Sequence, residues 1–308
     1  SATLNIEKAN LTDNSYIVLQ GNGQLFHNGI ATTVKKEITA SNEEGAVGAT
    51  TNWNTISTPV VGKSAIPEAE AGKHDLYHYE EATQTWRYQE TGKLESGKGY
   101  LYTNHKDVKF SFTGQLNTAA VNVPLSYTSG IALAGFNLVG NPFTHKISVD
   151  NMVVSEEAEL AGGFYTITKE GRWQVGQAEE TIAPLQSVLV KANKAATLTI
   201  NPKANKTRKA SNASLEIAVY NSEYEDVAYV SFGEGLGLDK IEHRNSDIPM
   251  VFVPVNGKDY AIATMSSDVK EIPVAFKANT MGQYTIAVNA KNCEYSEMYL
   301  TDKLTGEV

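Results

Sequence analysis

The chain has 308 residues, 41% of them hydrophobic, with a formal net charge of −9 and a pI near 5.3. That length holds roughly two or three domains of ~100–150 residues, the acidic balance opposes the counterion-release binding that nucleic acid requires, and a single cysteine, Cys293, excludes an internal disulfide framework and a cysteine-ligated structural zinc. No apolar run approaches the ~20 residues of a membrane span, so membrane insertion is not expected, and no signal peptide follows Ser1, as in a mature or trimmed chain.

In chain order, residues 1–45 read as short strands between turns. TLNIEKANL from Thr3 and SYIVLQGNGQLF from Ser15 alternate apolar and polar residues, and Asp13-Asn14 and Gly21-Asn22-Gly23 supply turns that tolerate positive φ. Short apolar strands broken by Asn and Gly at close intervals are also how the last rungs of a parallel β-helix read. Residues 46–128 read as a first β module, introduced by the small, Gly-rich stretch Asn42–Thr51. Within it Tyr77, Tyr79, Trp86, Tyr88, Tyr100 and Tyr102 recur at even spacing inside each strand, which puts each set on one sheet face.

A second module, residues 129–205, repeats the first. NWNTISTPV (Asn52–Val60) and GFNLVGNPF (Gly135–Phe143) each set an aromatic among small polar residues, then an apolar strand, then a small polar residue before proline. Trp53 pairs with Phe136 and Pro59 with Pro142 at an offset of 83, Trp86 with Trp173 at 87, and Phe110 with Leu198 at 88. An offset that grows smoothly is what a duplicated unit with small loop insertions gives. The stretch Val154–Gly163 (VSEEAELAGG) alone has the character of a short helix, and the polar, basic Pro202–Ser214 marks a boundary. In the last region, 206–308, seven short β segments follow: Leu215–Val219, Val227–Phe232, Met250–Pro254, Tyr260–Met265, Ile272–Phe276, Tyr284–Val288 and Met298–Thr301. Their number and spacing predict an Ig-like sandwich. The expected fold class is all-β: tandem β-sandwich-like repeats followed by an Ig-like β-sandwich.

Several stretches together resemble a family. YLTDKLTG (Tyr299–Gly306), GQYTI (Gly282–Ile286) and EIPV (Glu271–Val274) resemble the last module before the C-terminal sorting region in large cell-surface and secreted β-module proteins of Bacteroidetes. GKGYLY (Gly97–Tyr102), FTGQLNT (Phe112–Thr118) and FNLVGNPF (Phe136–Phe143) are similar to the repeated β modules that precede it. The resemblance implies an extracellular or outer-membrane-attached protein of adhesin or surface-antigen type, exported by the type IX route. It also implies an N-terminal leucine-rich or β-helical region, of which Thr3–Ala40 would be the tail. The sequence departs from the family pattern at Val308, where it stops short of a sorting domain, and the family supplies no common catalytic residues.

Tyr and Trp faces stack on pyranose rings, and the same rings fill sandwich cores. Trp86 and Trp173 hold matched positions, as shared core residues would. Tyr88, Tyr100 and Tyr102 stand where the second copy has Val175, Val188 and Val190, so the first copy has gained aromatic character there, and these three are the ligand-binding candidates. His74 and His78 are four apart, but HDLYHYEE alternates like a strand and lacks the HExxH glutamate, so no metal site is expected. Glu43, Glu44, Glu225 and Asp226 read as solvated loop charge, without the spaced oxygen ligands of a calcium loop. GEGLG (Gly233–Gly237) lacks the Lys-Ser/Thr of a phosphate loop and reads as a hairpin or bulge. No GxSxG elbow occurs, and Cys293 has no histidine beside it in sequence, so nucleophilic catalysis has no actor.

These readings predict a non-enzymatic extracellular surface region, an adhesion or spacer module without cofactors. Its partners would be a host or bacterial surface protein or a glycan, with no nucleic acid. The alternative is a carbohydrate-binding accessory region of a larger polysaccharide-degrading enzyme.

Overall fold

The computed structural model describes residues 2–6, 15–20, 23–38, 53–65, 74–89, 93–104, 106–155, 157–204, 213–293 and 297–307. The protein is all-β, with 25 strands and two short 3-10 turns among these residues. The N-terminal strands are β1 (Thr3–Ile6), β2 (Tyr16–Leu19), β3 (Gln24–His27) and β4 (Ala31–Ile38). Next come β5 (Asn54–Ile56), β6 (Lys63–Ala65), β7 (His74–Glu80), β8 (Thr85–Tyr88), β9 (Lys93–Glu95), β10 (Tyr100–Asn104) and β11 (Val108–Gln115). The second module contains β12 (Val121–Leu125), β13 (Phe136–Gly140), β14 (Met152–Val154), β15 (Gly163–Ile167), β16 (Trp173–Gln177), β17 (Ser187–Lys191) and β18 (Ala196–Ile200). The C-terminal unit contains β19 (Ser214–Tyr220), β20 (Glu225–Phe232), β21 (Leu238–Asp239), β22 (Met250–Val255), β23 (Lys258–Met265), β24 (Ala275–Lys277) and β25 (Thr285–Lys291).

Two four-stranded sheets share one plan. The first runs β5-β10-β7-β8 and the second β13-β17-β15-β16, the same order strand for strand. Register agrees as well: Leu101 lies across from Tyr77 and Tyr77 from Tyr88, as Leu189 lies across from Tyr165 and Tyr165 from Val175. Each is backed by a three-stranded sheet, β11-β4-β2 or β12-β18-β14. Val34 faces Phe112 across the first, where the second pairs Val121 with Ile200. Period-two alternation explains the layering, because each strand sends alternate side chains to opposite faces.

These pairings move the module boundaries. β4 belongs to the sheet of β11, and β12 to the sheet of β18, so strands before residue 46 join the first module and the strand before residue 129 joins the second. Leu19, Leu25 and Ile30 lie in the same core as Tyr100, Phe110 and Phe112, so the N-terminal strands are part of the first module rather than a separate segment. Composition hides this, since a Gly- and Ala-rich stretch of sequence separates β4 from the strands it packs with. β1 pairs with β3, and β2 with β4, in parallel, which is the pairing of stacked β-helix rungs. The expected helix at Val154–Gly163 does not form among the described residues. Val154 closes β14 and Leu160 bridges Ala192 instead.

The two modules plug into each other. The turn at Gly97 (φ 81°) and the turn at Leu185 (φ 62°) are equivalent positions, both left-handed. Gly140 N–H donates to Gly97 O at 2.8 Å, and Ser57 N–H donates to Leu185 O at 2.8 Å, so the same bond is made in both directions as if about a two-fold axis. Leu185 is fully buried in the first module's core. Gly97 abuts Val121 and Val123 of the second so closely that a Cβ there would stand 2.5 Å from Val123 Cγ2. Glu81 adds a clamp from the β7–β8 turn. Its carboxylate accepts from Thr128 N–H, Thr128 Oγ1 and Gly135 N–H, each at 2.8 Å.

The C-terminal unit is one hydrogen-bonded path, β24-β22-β23-β20-β19-β25, with β21 added beside β23. β20 and β23 pair in parallel. The sequence predicts two antiparallel sheets and a seventh strand at Met298–Thr301; that stretch forms no strand, and Met298, Tyr299 and Leu300 are exposed. Among the described residues no helix is long and apolar enough to cross a membrane.

Candidate functional site

Strongly β-forming aromatics on β7 and β8, joined by a tight turn at Glu81–Thr83 with Gln84 in the left-handed region, fix a hairpin register. Tyr77 lies across from Tyr88 and Tyr79 across from Trp86. All four rings therefore share one face, the side turned away from the module's own core.

On that face the rings form a continuous array. Tyr77 meets Tyr88 edge-on at 5.6 Å, Tyr79 meets Trp86 at 5.3 Å, and Trp53 meets Tyr77 edge-on at 5.7 Å. Trp86 stacks on Trp173 of the second module with centroids 6.1 Å apart and planes within 11°. The Arg244 guanidinium, from the C-terminal unit, lies 5.3 Å over Trp53. Trp53 and Trp173 are buried, Tyr77, Tyr79 and Trp86 are partly buried, and Tyr88 is 47% exposed. Burial, then the field of Glu81, pushes the Tyr79 phenol up to about 12, so it stays protonated and able to donate. Its oxygen is buried without a hydrogen-bond partner.

The structure separates the three sequence candidates. Tyr100 is 2% exposed and Tyr102 fully buried, and only Tyr88 reaches the surface. Since Leu101 shares the face of Tyr77, its neighbours Tyr100 and Tyr102 must point inward. Tyr100 Oη accepts from Glu95 N–H at 3.0 Å, and Tyr102 Oη accepts from Asn104 Nδ2 at 2.7 Å while its ring packs edge-on against Phe110. They are core residues, larger than Val188 and Val190 of the second core, and are withdrawn as ligand contacts. Tyr77, Tyr79 and Trp86 were missed as companions of Tyr88. The alternation in LYHYEEATQTWRY carries that signal once β7 and β8 are paired as a hairpin.

The other candidates are accounted for structurally. His74 and His78 share the inward face of β7, and His74 stacks on Tyr102. Glu43 and Glu44 lie outside the described residues. Asp226 is not a solvated loop charge: it is 2% exposed on β20, in a joint between the second module and the C-terminal unit. There it pairs with Lys240 and accepts from Val251 N–H at 2.8 Å. His243 Nε2 lies 3.3 Å from its Oδ1, and Trp173 N–H donates to His243 Nδ1 at 3.1 Å, which places the imidazole proton on Nε2. Burial pushes the Asp226 carboxyl up, but the Lys240 ammonium and His243 beside it outweigh that and hold it below the usual carboxylate range. In the same joint Lys191 pairs with Asp239 at 2.7 Å, and Tyr165 Oη donates to Asp239 O at 2.8 Å. Gly233 and Gly235, both at positive φ, turn the chain between β20 and β21. The Cys293 thiol donates to Ser214 O.

Among the described residues no three His, Cys, Asp or Glu side chains converge as metal ligands. An open groove of about 470 Å³ runs from Lys63 and Glu95 to Asn117 and Asn122. Its polar groups are already engaged: Glu95 pairs with Lys63 at 2.7 Å and Lys98 at 2.8 Å, and Asn117 Nδ2 donates to Pro59 O, Ser96 Oγ and Pro142 O. The aromatic array is the stronger surface feature. No protein-family model, curated protein or solved structure matches the chain.

Proposed function

We propose that this chain is a non-enzymatic extracellular surface region that acts as a stiff adhesion or spacer scaffold. The observation that carries this reading is the reciprocal insertion of the Gly97 and Leu185 turns, which makes the two modules one body with shared cores. Two buried carboxylates support it too, since Glu81 joins the first module to the second and Asp239 joins the C-terminal unit to Lys191 of the second. Export to the cell surface follows from the resemblance to Bacteroidetes surface proteins. Small-angle scattering from the whole chain tests the scaffold: one rigid envelope, unchanged between low and high salt, is expected, and an ensemble of separated modules would refute it. Hydrolysis of a peptide or glycan substrate that one carboxylate substitution abolishes would overturn the non-enzymatic part.

The open aromatic face favours a second reading, a carbohydrate-binding accessory region of a larger polysaccharide-degrading enzyme. Both readings need the same stiff frame.

A further inference from the structure

The two four-stranded sheets present equivalent outward faces that meet different fates. In the second module the face carries Tyr165, Ile167, Trp173 and Val175, each no more than 9% exposed. Tyr229, Leu238, Ala261 and Ile262 of the C-terminal unit cover it in one shared core. In the first module the same register positions hold Tyr77, Tyr79, Trp86 and Tyr88; the first three are partly buried at the border of that shared core, and Tyr88 is exposed beside them. The open face is continuous with that covered interface through the Trp86–Trp173 stack.

A sheet face that serves as a docking surface in one copy keeps the geometry of one in the other. What differs is the chemistry. Where the covered copy uses Ile167 and Val175 against protein, the open copy has Tyr79 and Tyr88, which add flat rings and hydroxyls. Aliphatic side chains would serve an apolar protein partner equally well, as they do in the second module. Rings with hydroxyls suit a ligand that is itself apolar on one face and hydroxylated at its edge, which describes a pyranose. None of the four side chains carries a formal charge, and the guanidinium beside them, Arg244, lies over the Trp53 ring rather than beside Tyr88. The Tyr79 oxygen is buried beneath the face, so the hydroxyl a ligand can reach is that of Tyr88.

We propose that the face formed by Tyr77, Tyr79, Trp86 and Tyr88 binds a neutral oligosaccharide, with a pyranose ring stacked on Tyr88 and the strand of sugars running along the β7–β8 edge. The inference rests on the carbohydrate-binding reading and names its site and sugar class; it does not require the scaffold reading, since a stiff frame stands whether or not this face is occupied.

The test is a microarray of neutral oligosaccharides (glucans, mannans, xylans, galactans and chitin fragments) printed beside uronate- and sulfate-bearing ones and probed with the whole chain, followed by calorimetry on any sugar retained. Retention of at least one neutral oligosaccharide is expected, weakened at least tenfold in Tyr88→Ala and much less in Tyr88→Phe, which keeps the stacking ring. Tyr127→Ala, at an exposed tyrosine between β12 and β13, serves as the control and should bind as the parent does. Because Tyr88 is largely exposed, Tyr88→Ala should fold, and an unchanged melting temperature confirms that it has. Failure to retain any neutral sugar, retention of charged sugars alone, or a retained sugar indifferent to Tyr88→Ala would overturn the proposal. None of these outcomes touches the scattering result that tests the scaffold.

Discussion

Leu185 is the residue on which the joining of the two modules turns. It belongs by sequence to the second module, yet its side chain is fully buried in the core that holds Tyr100, Phe110 and Phe112 of the first. Truncating a buried leucine to alanine costs about 2–5 kcal/mol, because the lost transfer energy is joined by a cavity that closes only in part. Leu185 also sits at φ 62°, a conformation that costs a side-chain-bearing residue about 1–2 kcal/mol. Leu185→Ala keeps that backbone cost and loses the packing. Leu185→Gly loses the packing too but relieves the backbone, so it should be less destabilising than alanine by about 1 kcal/mol. Equilibrium urea unfolding followed by tryptophan fluorescence checks both, since the Trp86–Trp173 stack reports on each module at once. The reciprocal change, Gly97→Ala, forces a Cβ to 2.5 Å from Val123 and into a left-handed backbone, and should cost about 2–4 kcal/mol from the two sources together. In each case the modules should unfold in one transition. A Leu185→Ala cost below about 1 kcal/mol, or a transition in which only the second module shifts, would refute the reciprocal-core argument.

Lys36 stands where the second module has Val123, and burial pulls its ammonium down to about 8 while its Nζ donates to Pro184 O at 2.6 Å. With the folded value below the unfolded ~10.4, the unfolded chain binds more protons between those limits, so stability should rise as pH goes from about 8 to 10, and Lys36→Val should stabilise the protein at neutral pH by about 1–3 kcal/mol and flatten that rise. Asp226 has a depressed folded value, so its contribution is present above the unfolded ~3.9 and lost as pH falls through the folded one; urea midpoints below pH ~4 should drop more steeply in the parent than in Asp226→Asn. At neutral pH, Asp226→Ala should cost about 3–5 kcal/mol by leaving Lys240 buried and unpaired. Glu81→Ala leaves Thr128 N–H and Gly135 N–H without their acceptor and should cost about 2–4 kcal/mol in thermal or urea unfolding, with Glu81→Gln recovering part of it.

Strand placement was largely legible in the sequence because period-two alternation is a local property. The thirteen residues LYHYEEATQTWRY read as one aromatic strand and form two, β7 and β8, with a tight turn between them, while most of the C-terminal segments are strands where alternation places them. Facing was not legible. Even spacing tells that Tyr100 and Tyr102 share a side but not which side, and it is the pairing of Leu101 with Tyr77 that turns them inward. The same limit moved the module boundaries, since nothing local reveals that β4 crosses a Gly-rich stretch to pair with β11. Charge was misread at Asp226, whose surroundings in sequence are polar while its partners Lys240 and His243 arrive from a later loop. Met298–Thr301 shows the opposite error: the alternation is present, but no neighbouring strand completes a ladder, and a strand without a ladder leaves its backbone to water.

Divergence between the copies carries functional meaning only after packing has been subtracted. Three valines of the second copy, Val175, Val188 and Val190, correspond to tyrosines of the first, and sequence alone gives them equal weight. Two of the three differences are absorbed inside the first core, where Tyr100 and Tyr102 fill volume and bond to Glu95 and Asn104. Only Tyr88 remains, and it brings Tyr77, Tyr79 and Trp86 with it because cross-strand register makes the four one surface. A near two-fold pairing of modules makes this subtraction possible, since each residue can be compared with a partner in the same backbone environment. The C-terminal unit breaks the symmetry by occupying one of two equivalent faces. What the other face holds is then a question about chemistry at four side chains, and the exchange of Ile167 for Tyr79 and Val175 for Tyr88 puts aromatic rings where the covered face has aliphatic side chains.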